Sequence, residues 1–344
     1  MRYIYMVRLK DIAEKAGVTV PSVSKALNNS PEISEETALL IKKVAKEMGY
    51  EARPVNKKRN YVVGVIVPEV SSHYYAQLLT SIGQALEKQG YTMLTMMTFF
   101  RPENDKSVVE QLCRYKLDGI IVSCYHPMSK QIYDIIRNSG TPVLFLEEVQ
   151  QSWMPLCDAD SIYINQELGV RLLLEHLVEL GHENIGYLGE DNSAIRYRTM
   201  VNFLEERKLP LRSEFVKIGS ERFETGGYQY AQKLLKENKL PTAVFCAYDQ
   251  MAYGAMKAFG EHGLRIPEDI SVVGFDNNVM DDFTHVSLTT VTNPVEEMGA
   301  VAVRILMDKI ENPRTHVVQR VSLQSRLITR SSTCPPKDSA EADL

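Results

Sequence analysis

Four polar side chains stand at the carboxyl ends of short apolar runs, the position from which a parallel sheet presents groups to a ligand. Glu147 closes VLFLE, Asp249 follows AVFCAY, Asp276 closes the run SVVGF, and Asn293 follows LTTVT. Carboxylates and a carboxamide are planar, bidentate partners for the adjacent hydroxyls of a sugar-like molecule, so the set predicts a cleft where these strand ends meet. Bond-breaking chemistry is not indicated, and the chain is expected not to be an enzyme. GYLGED lacks the three-glycine spacing of a dinucleotide site, no Walker-type GK[ST] or GxSxG elbow occurs, and the 7 histidines have no evident nucleophile partner. The 5 cysteines (Cys113, Cys124, Cys157, Cys246, Cys334) form no CxxC pair and no Cys/His group at metal spacing. No metal and no cofactor is predicted, and the thiols suit a reduced, cytoplasmic protein.

Different chemistry belongs to the N-terminus. Leu9, Ile12, Ala13 and Ala16 recur at helical spacing, Gly17 stops that helix, and Thr19 can cap a second one over Val20 to Asn28. Pro21 sits in the first turn of that second helix, where its missing N–H costs little, and Val23, Ala26 and Leu27 make its apolar face. Ser34 caps a third helix, Glu35 and Glu36 suit its positive end, and Ala38, Ile41, Val44, Ala45 and Met48 supply a stripe ending at Gly49. Helix, tight turn and helix predict a helix-turn-helix unit that reads DNA. Charge agrees: residues 1–60 carry 12 Lys/Arg against 7 Asp/Glu, whereas the whole chain is at −5, so a basic end is joined to an acidic body.

From Tyr61 the period changes. VVGVIVP is a continuous apolar run suited to a strand buried on both faces, and residues 75–89 are an amphipathic helix closed by Gly90. MLTMM, GIIVS and PVLFLE continue one series, and IYI, IGYLG, AVFCA and SVVGFD supply a second. Strands alternating with helices in two series imply parallel sheets in two lobes. No apolar run reaches the roughly 18 residues of a membrane span.

The run LKDIAEKAGVTVPSVSKALNNSPEISEETALLIKKVAKEMGY closely resembles the headpiece of the lactose/galactose repressor (LacI/GalR) family. HLVELGHENIGYLG, PTAVFCAYDQMAYGAMKAFGEHGLRIPEDISVVGFDN and LTTVTNPVEEMG are similar to segments of its body, shared in part with periplasmic sugar-binding proteins, and the resemblance spans essentially Leu9 to Thr333. The family's headpieces begin near MVRLKDIA, which marks Met6 as the expected start. The resemblance implies an all-α three-helix helix-turn-helix headpiece (1–50), a linker (51–60), an α/β two-lobed periplasmic-binding-protein-like body with parallel sheets (61–330), and a disordered tail (331–344). It places the first lobe at 61–159 and 291–318 and the second at 160–290 and 319–330. Carried over position by position, Val20, Pro21 and Lys25 read base edges, while Thr19, Ser22, Ser24 and Asn28 face phosphate or support the turn. In the linker, Ala52, Arg53 and Val55 match the end of the family's hinge helix, but about one turn is missing and Pro54 interrupts the rest, so a basic arm of Arg53, Lys57, Lys58 and Arg59 is expected to hold phosphates, with Val55 a reduced wedge. In the body the resemblance adds Arg198, after IGYLG, and Tyr75, after the first strand, to the effector set.

The function implied is a homodimeric repressor of transcription that binds an imperfectly palindromic operator in double-stranded DNA. Its affinity would be set by a small effector between the lobes: a sugar, sugar acid or sugar phosphate. A non-sugar corepressor, or a solute-binding protein without regulatory role, is the alternative.

Overall fold

The N-terminal unit is organised around Ile12, Val23 and Ile41, one from each of three helices and each fully buried. The helices are α1 (Leu9–Ala16), α2 (Val20–Leu27) and α3 (Glu35–Glu47). Gly17 takes a positive φ of 67°, which lets the chain reverse between α1 and α2 without a Cβ penalty. Thr19 Oγ1 accepts from Ser22 N at 3.3 Å and Ser34 Oγ from Thr37 N at 3.3 Å, so both following helices are capped as their sequences require. Ala13, Ala26, Val44 and Ala45 complete this small core. A computed structural model of the protein describes residues 7, 9–27, 32–48, 59–123, 130–146, 159–313 and 317–337. Residues 1–59 and 60–344 form two compact units.

The body begins with β1 (Val62–Val67), whose run of β-branched residues is buried as a strand covered on both faces should be. There follow α4 (His73–Lys88), β2 (Thr92–Met97), α5 (Pro102–Arg114), β3 (Gly119–Ser123), α6 (Lys130–Asn138), β4 (Val143–Leu146) and β5 (Asp160–Asn165). The second lobe comprises α7 (Gln166–Glu179), β6 (Ile185–Glu190), α8 (Ala194–Glu206), β7 (Val216–Gly219), α9 (Phe223–Leu234), β8 (Ala243–Cys246), α10 (Asp249–Glu261) and β9 (Ser271–Val273). After β10 (Thr290–Val291) the chain returns to the first lobe through α11 (Val295–Glu311) and β11 (Arg320–Gln324), and it ends the body with β12 (Leu327–Ile328) against β10. Both main sheets are parallel, in the orders β11-β5-β4-β3-β1-β2 and β7-β6-β8-β9. Leu306 of α11 lies against Gly119 of β3, and Met298, Ala302 and Leu306 fill one face of the first sheet.

Lobe membership differs from the expected boundaries. Residues 160–165 and 320–324 belong to the first lobe's sheet: Ser161 pairs with Phe145 and Ile162 with Val321 in parallel ladders. Asp160 fixes this edge, accepting from Lys309 Nζ at 2.7 Å and Gln319 N at 2.8 Å. The crossings therefore fall after β5, between β10 and α11, and between β11 and β12. In the second lobe α9 and α10 touch backbone to backbone, since a Cβ on Gly227 would stand 1.8 Å from the Met251 carbonyl oxygen.

The segment 331–337, expected to be disordered, is instead an ordered strap on the second lobe. Buried Ser332 Oγ accepts from Thr289 N at 2.8 Å and donates to the Val272 carbonyl at 2.6 Å. His182 Nε2 meets the Cys334 carbonyl at 2.9 Å, and His176 Nε2 meets Thr333 Oγ1 at 2.9 Å. Residues 338–344 lie outside the described set. Burial lowers the pKa of both histidines below the ordinary 6.5, so the folded state favours neutral imidazole. That stability is present above pH 6.5 and is lost as the pH falls through the depressed folded value, because the unfolded chain takes up the proton first. His182→Asn is expected to cost ~1–3 kcal/mol at pH 7.5, the usual result of disturbing buried hydrogen bonds. Thermal melts at pH 7.5 and pH 5 should show the gap between variant and parent narrowing in acid; an equal gap at both would refute the assignment.

Candidate DNA-reading helix and effector cleft

In the N-terminal unit Val23 and Ala26 hold α2 against its neighbours, which turns the other face outward. Thr19, Val20, Pro21 and Lys25 are exposed, and Ser22 and Ser24 are half-buried. The outward set thus carries two apolar side chains suited to thymine methyls and one flexible cation. Lys25 Nζ is held by Glu32 Oε2 at 2.5 Å, a surface pair that pulls the Glu32 carboxyl below its ordinary range. Such an exposed pair exchanges readily for another anion. Asn28, Arg53, Val55, Lys57 and Lys58 lie outside the described residues, and Arg59 is half-buried.

In the body, the candidate cleft centres on Asp276, just beyond β9. Its φ of 125° turns the chain sharply there, an unusual conformation for a side-chain-bearing residue and of the kind that gathers at binding sites. Asp276 Oδ1 accepts from Asn293 Nδ2 at 3.0 Å and from Arg196 Nη2 at 3.4 Å. Arg196 lies 3.9 Å over the Phe275 ring, donates through Nε to Gln166 Oε1 at 3.1 Å, and donates through Nη1 to the Ala247 carbonyl. Burial raises the Asp276 pKa while Arg196 and Asn293 oppose the rise. Among the described residues, Asn293 Oδ1 and His73 Nε2 are buried without a hydrogen-bond partner, and His73 is near enough to act electrostatically on Asp276. Buried polar atoms of this kind normally find partners, which makes these two candidates for contact with a ligand.

The structure sorts the expected effector residues. Asp276 and Asn293 come together. Arg198 does not join them: it is exposed on α8, and Arg196, two residues earlier, is the arginine beside Asp276. Asp249 is turned away as the first residue of α10, with Oδ1 accepting from Thr290 Oγ1 at 2.7 Å and Oδ2 from Asn278 N at 2.8 Å. It positions the Asp276 turn from behind, and burial, followed by neighbouring Asp281, raises its pKa well above the ordinary value. Tyr75 is packed in the first lobe's core, its ring 4.9 Å from Tyr74 and 6.3 Å from Phe100. Glu147 lies outside the described residues. Sequence inspection missed Arg196, Gln166 and His73; the available signal for Arg196 was its place in RYR, where only helix phase separates two arginines.

Comparison with known proteins accounts for both units. Residues 8–52 match the model for bacterial regulatory proteins of the lacI family, and residues 174–333 match a periplasmic binding protein-like domain. The HTH-type transcriptional repressor PurR of Haemophilus influenzae is 31% identical over 337 residues, covering 95% of this chain and 98% of that one. The chain belongs to the lacI family. It is a DNA-binding transcriptional repressor with an effector-binding body, and it is not an enzyme. Among solved structures, the lac repressor dimer bound to operator and the anti-inducer ONPF is 27% identical with a TM-score of 0.69, covering 96% of this chain and 99% of that one. A lacI-family regulator from Enterococcus faecium with bound ribose is 25% identical with a TM-score of 0.69, covering 80% of this chain and 99% of that one. Among the described residues no helix is long and apolar enough to cross a membrane.

Proposed function

We propose that this repressor is a cytoplasmic homodimer that binds an imperfectly palindromic operator and is controlled by a neutral polyhydroxyl effector, sugar-like in its chemistry, held between the lobes. The observation carrying the effector class is the charge state of the cleft. Arg196 is matched by Asp276, and Arg222 is matched by Glu69 and Glu190, so neither is free to neutralise an anionic effector. What remains open is hydrogen-bonding capacity at Asn293 Oδ1 and His73 Nε2, beside the flat face of the Phe275–Arg196 stack. This favours a neutral sugar over a sugar acid or sugar phosphate. The lacI-family relative solved with bound ribose is compatible with that class.

Self-association is supported by the second lobe's outer face. Phe283 is 75% exposed, with Met280 and Val279 exposed beside it, next to a cavity of about 600 Å3 lined by Tyr253, Met256, Leu264, Ile266, Thr284 and Val286. An apolar projection beside a hollow that also carries Lys257, Arg265, Glu268 and His285 suits a self-complementary, two-fold contact. In the N-terminal unit, Val20, Pro21 and Lys25 would read bases, with Thr19, Ser22, Ser24 and Asn28 supporting them and Arg53, Lys57, Lys58 and Arg59 holding phosphates.

Thermal-shift measurements on the full chain test the effector class. Ligand bound only by the folded state raises stability by ~2.7 kcal/mol at a hundredfold excess over Kd. Neutral mono- and disaccharides are expected to produce the shift, with Asp276→Asn removing it. A shift given only by the matched sugar acids or sugar phosphates would overturn the neutral assignment.

A further inference from the structure

Away from Asp276, one guanidinium bridges the two lobes. Arg222, immediately before α9 in the second lobe, donates from Nη1 to Glu69 Oε2 at 3.1 Å and from Nη2 to Glu69 Oε1 at 3.0 Å. Glu69 follows β1 in the first lobe and is steadied by Ser71 Oγ, which donates to Oε2 at 2.7 Å. On its own side Arg222 donates from Nε to Glu190 Oε2 at 2.8 Å, at the end of β6. The guanidinium carbon lies 4.7 Å from the ring centre of Phe100, a first-lobe residue, and 4.4 Å from that of Phe223. Phe100 and Phe223 both take positive φ, 55° and 57°, an uncommon conformation for a side-chain-bearing residue. The side chains are only 26% (Arg222), 13% (Glu69) and 8% (Glu190) exposed, which places the pair where salt screens it weakly.

The geometry points to a latch: Glu69 of the first lobe clasps Arg222 of the second and holds the body closed before any effector is bound. Glu190 has a separate task. It orients Arg222 from within its own lobe and compensates the buried cation whenever Glu69 lets go, so opening does not strand an unpaired charge. The fork-to-fork pairing gives direction as well as attraction, because two parallel N–H···O bonds form only over a narrow range of lobe angles. Closure and opening of such lobes is a hinge motion about the three chain crossings, and the latch is a contact placed to select between its two ends. The inference stands independently of which effector the cleft accepts.

The test uses the full chain and no ligand. Spin labels on an unnatural amino acid at exposed Lys106 of α5 and exposed Lys236 after α9 report one distance across the lobes, with labelled protein diluted in unlabelled protein to suppress signals between protomers. Glu69→Gln removes the ion pair while Arg222 keeps Glu190. It is expected to raise the ratio of open to closed molecules by roughly tenfold, between the limits for exposed and fully buried pairs. Phe100→Leu should broaden the distribution in the same direction, and Glu206→Gln, which breaks a pair with Arg171 inside the second lobe, should leave it unchanged. Superimposable distance distributions for parent, Glu69→Gln and Phe100→Leu, each with a native far-ultraviolet spectrum, would overturn the latch.

Discussion

Arg196→Ala and Asp276→Asn are each expected to abolish the effector response while leaving ligand-free operator affinity within about twofold, the tolerance usual for distant sites. The loss follows from what the two groups do for each other. Arg196 stacks on Phe275 and hydrogen-bonds Gln166, the Ala247 carbonyl and Asp276, and Asp276 in turn orders Asn293. Hydrogen bonds to charged groups contribute ~1.5–3 kcal/mol each, so removing either member should weaken effector binding by roughly ten- to a hundredfold. Arg198→Ala is the discriminating control, because that side chain is exposed and should leave binding unchanged. Calorimetric titration of the three variants with the sugar that shifts the parent's melting temperature provides the measurement. Full affinity in Arg196→Ala together with loss in Arg198→Ala would return the site to the other arginine.

Lys25→Ala should lower discrimination between operator and random DNA by ~1–3 kcal/mol, as for one good base-edge contact. Apolar Val20 and Pro21 leave Lys25 as the long polar donor on the exposed face of α2. Its pairing with Glu32 in the unbound unit suggests a companion measurement. Glu32→Gln removes the competing carboxylate, and it should raise affinity for all DNA by a small, salt-sensitive amount without changing discrimination. Competition binding on operator and scrambled duplexes at two salt concentrations separates these outcomes. Equal losses on both duplexes for Lys25→Ala would make it a phosphate contact.

Local signals carried the headpiece. Gly17 at positive φ, the caps at Thr19 and Ser34, and the period that buries Ile12, Val23 and Ile41 all act within a few residues. The body's strands were equally legible as apolar runs, but their allegiance was not. Nothing within IYI says that it pairs with VLFL and RVSLQ rather than with the next run, since parallel pairing is fixed by contacts far along the chain. Arg196 and Arg198 differ by two positions, roughly 200° around a helix, so a small slip in the loop before α8 exchanges inside for outside. Asp249 and Asp276 carried the same strand-end signal, yet Asp249 heads a helix whose first residue is turned toward Thr290 and Asn278. The strap failed for a related reason. Its Ser, Thr, Cys and Pro composition suits a loop, and its order comes from Val272, Thr289, His176 and His182 on distant elements.

The late return of α11 and β11 to the first lobe has a consequence for biosynthesis. Residues 60–165 leave the ribosome with one face of their sheet still lacking Met298, Ala302 and Leu306, and with β5 still waiting for β11 on its outer edge. The second lobe's four strands are all synthesised before those pieces exist. Assembly of the body should therefore invert the usual vectorial order in which the part made first folds first. The second lobe can pair its four main strands, though it still lacks β12 and its strap, while the first is held as an unfinished half with an exposed apolar face, in need of shielding until residue 324 has emerged.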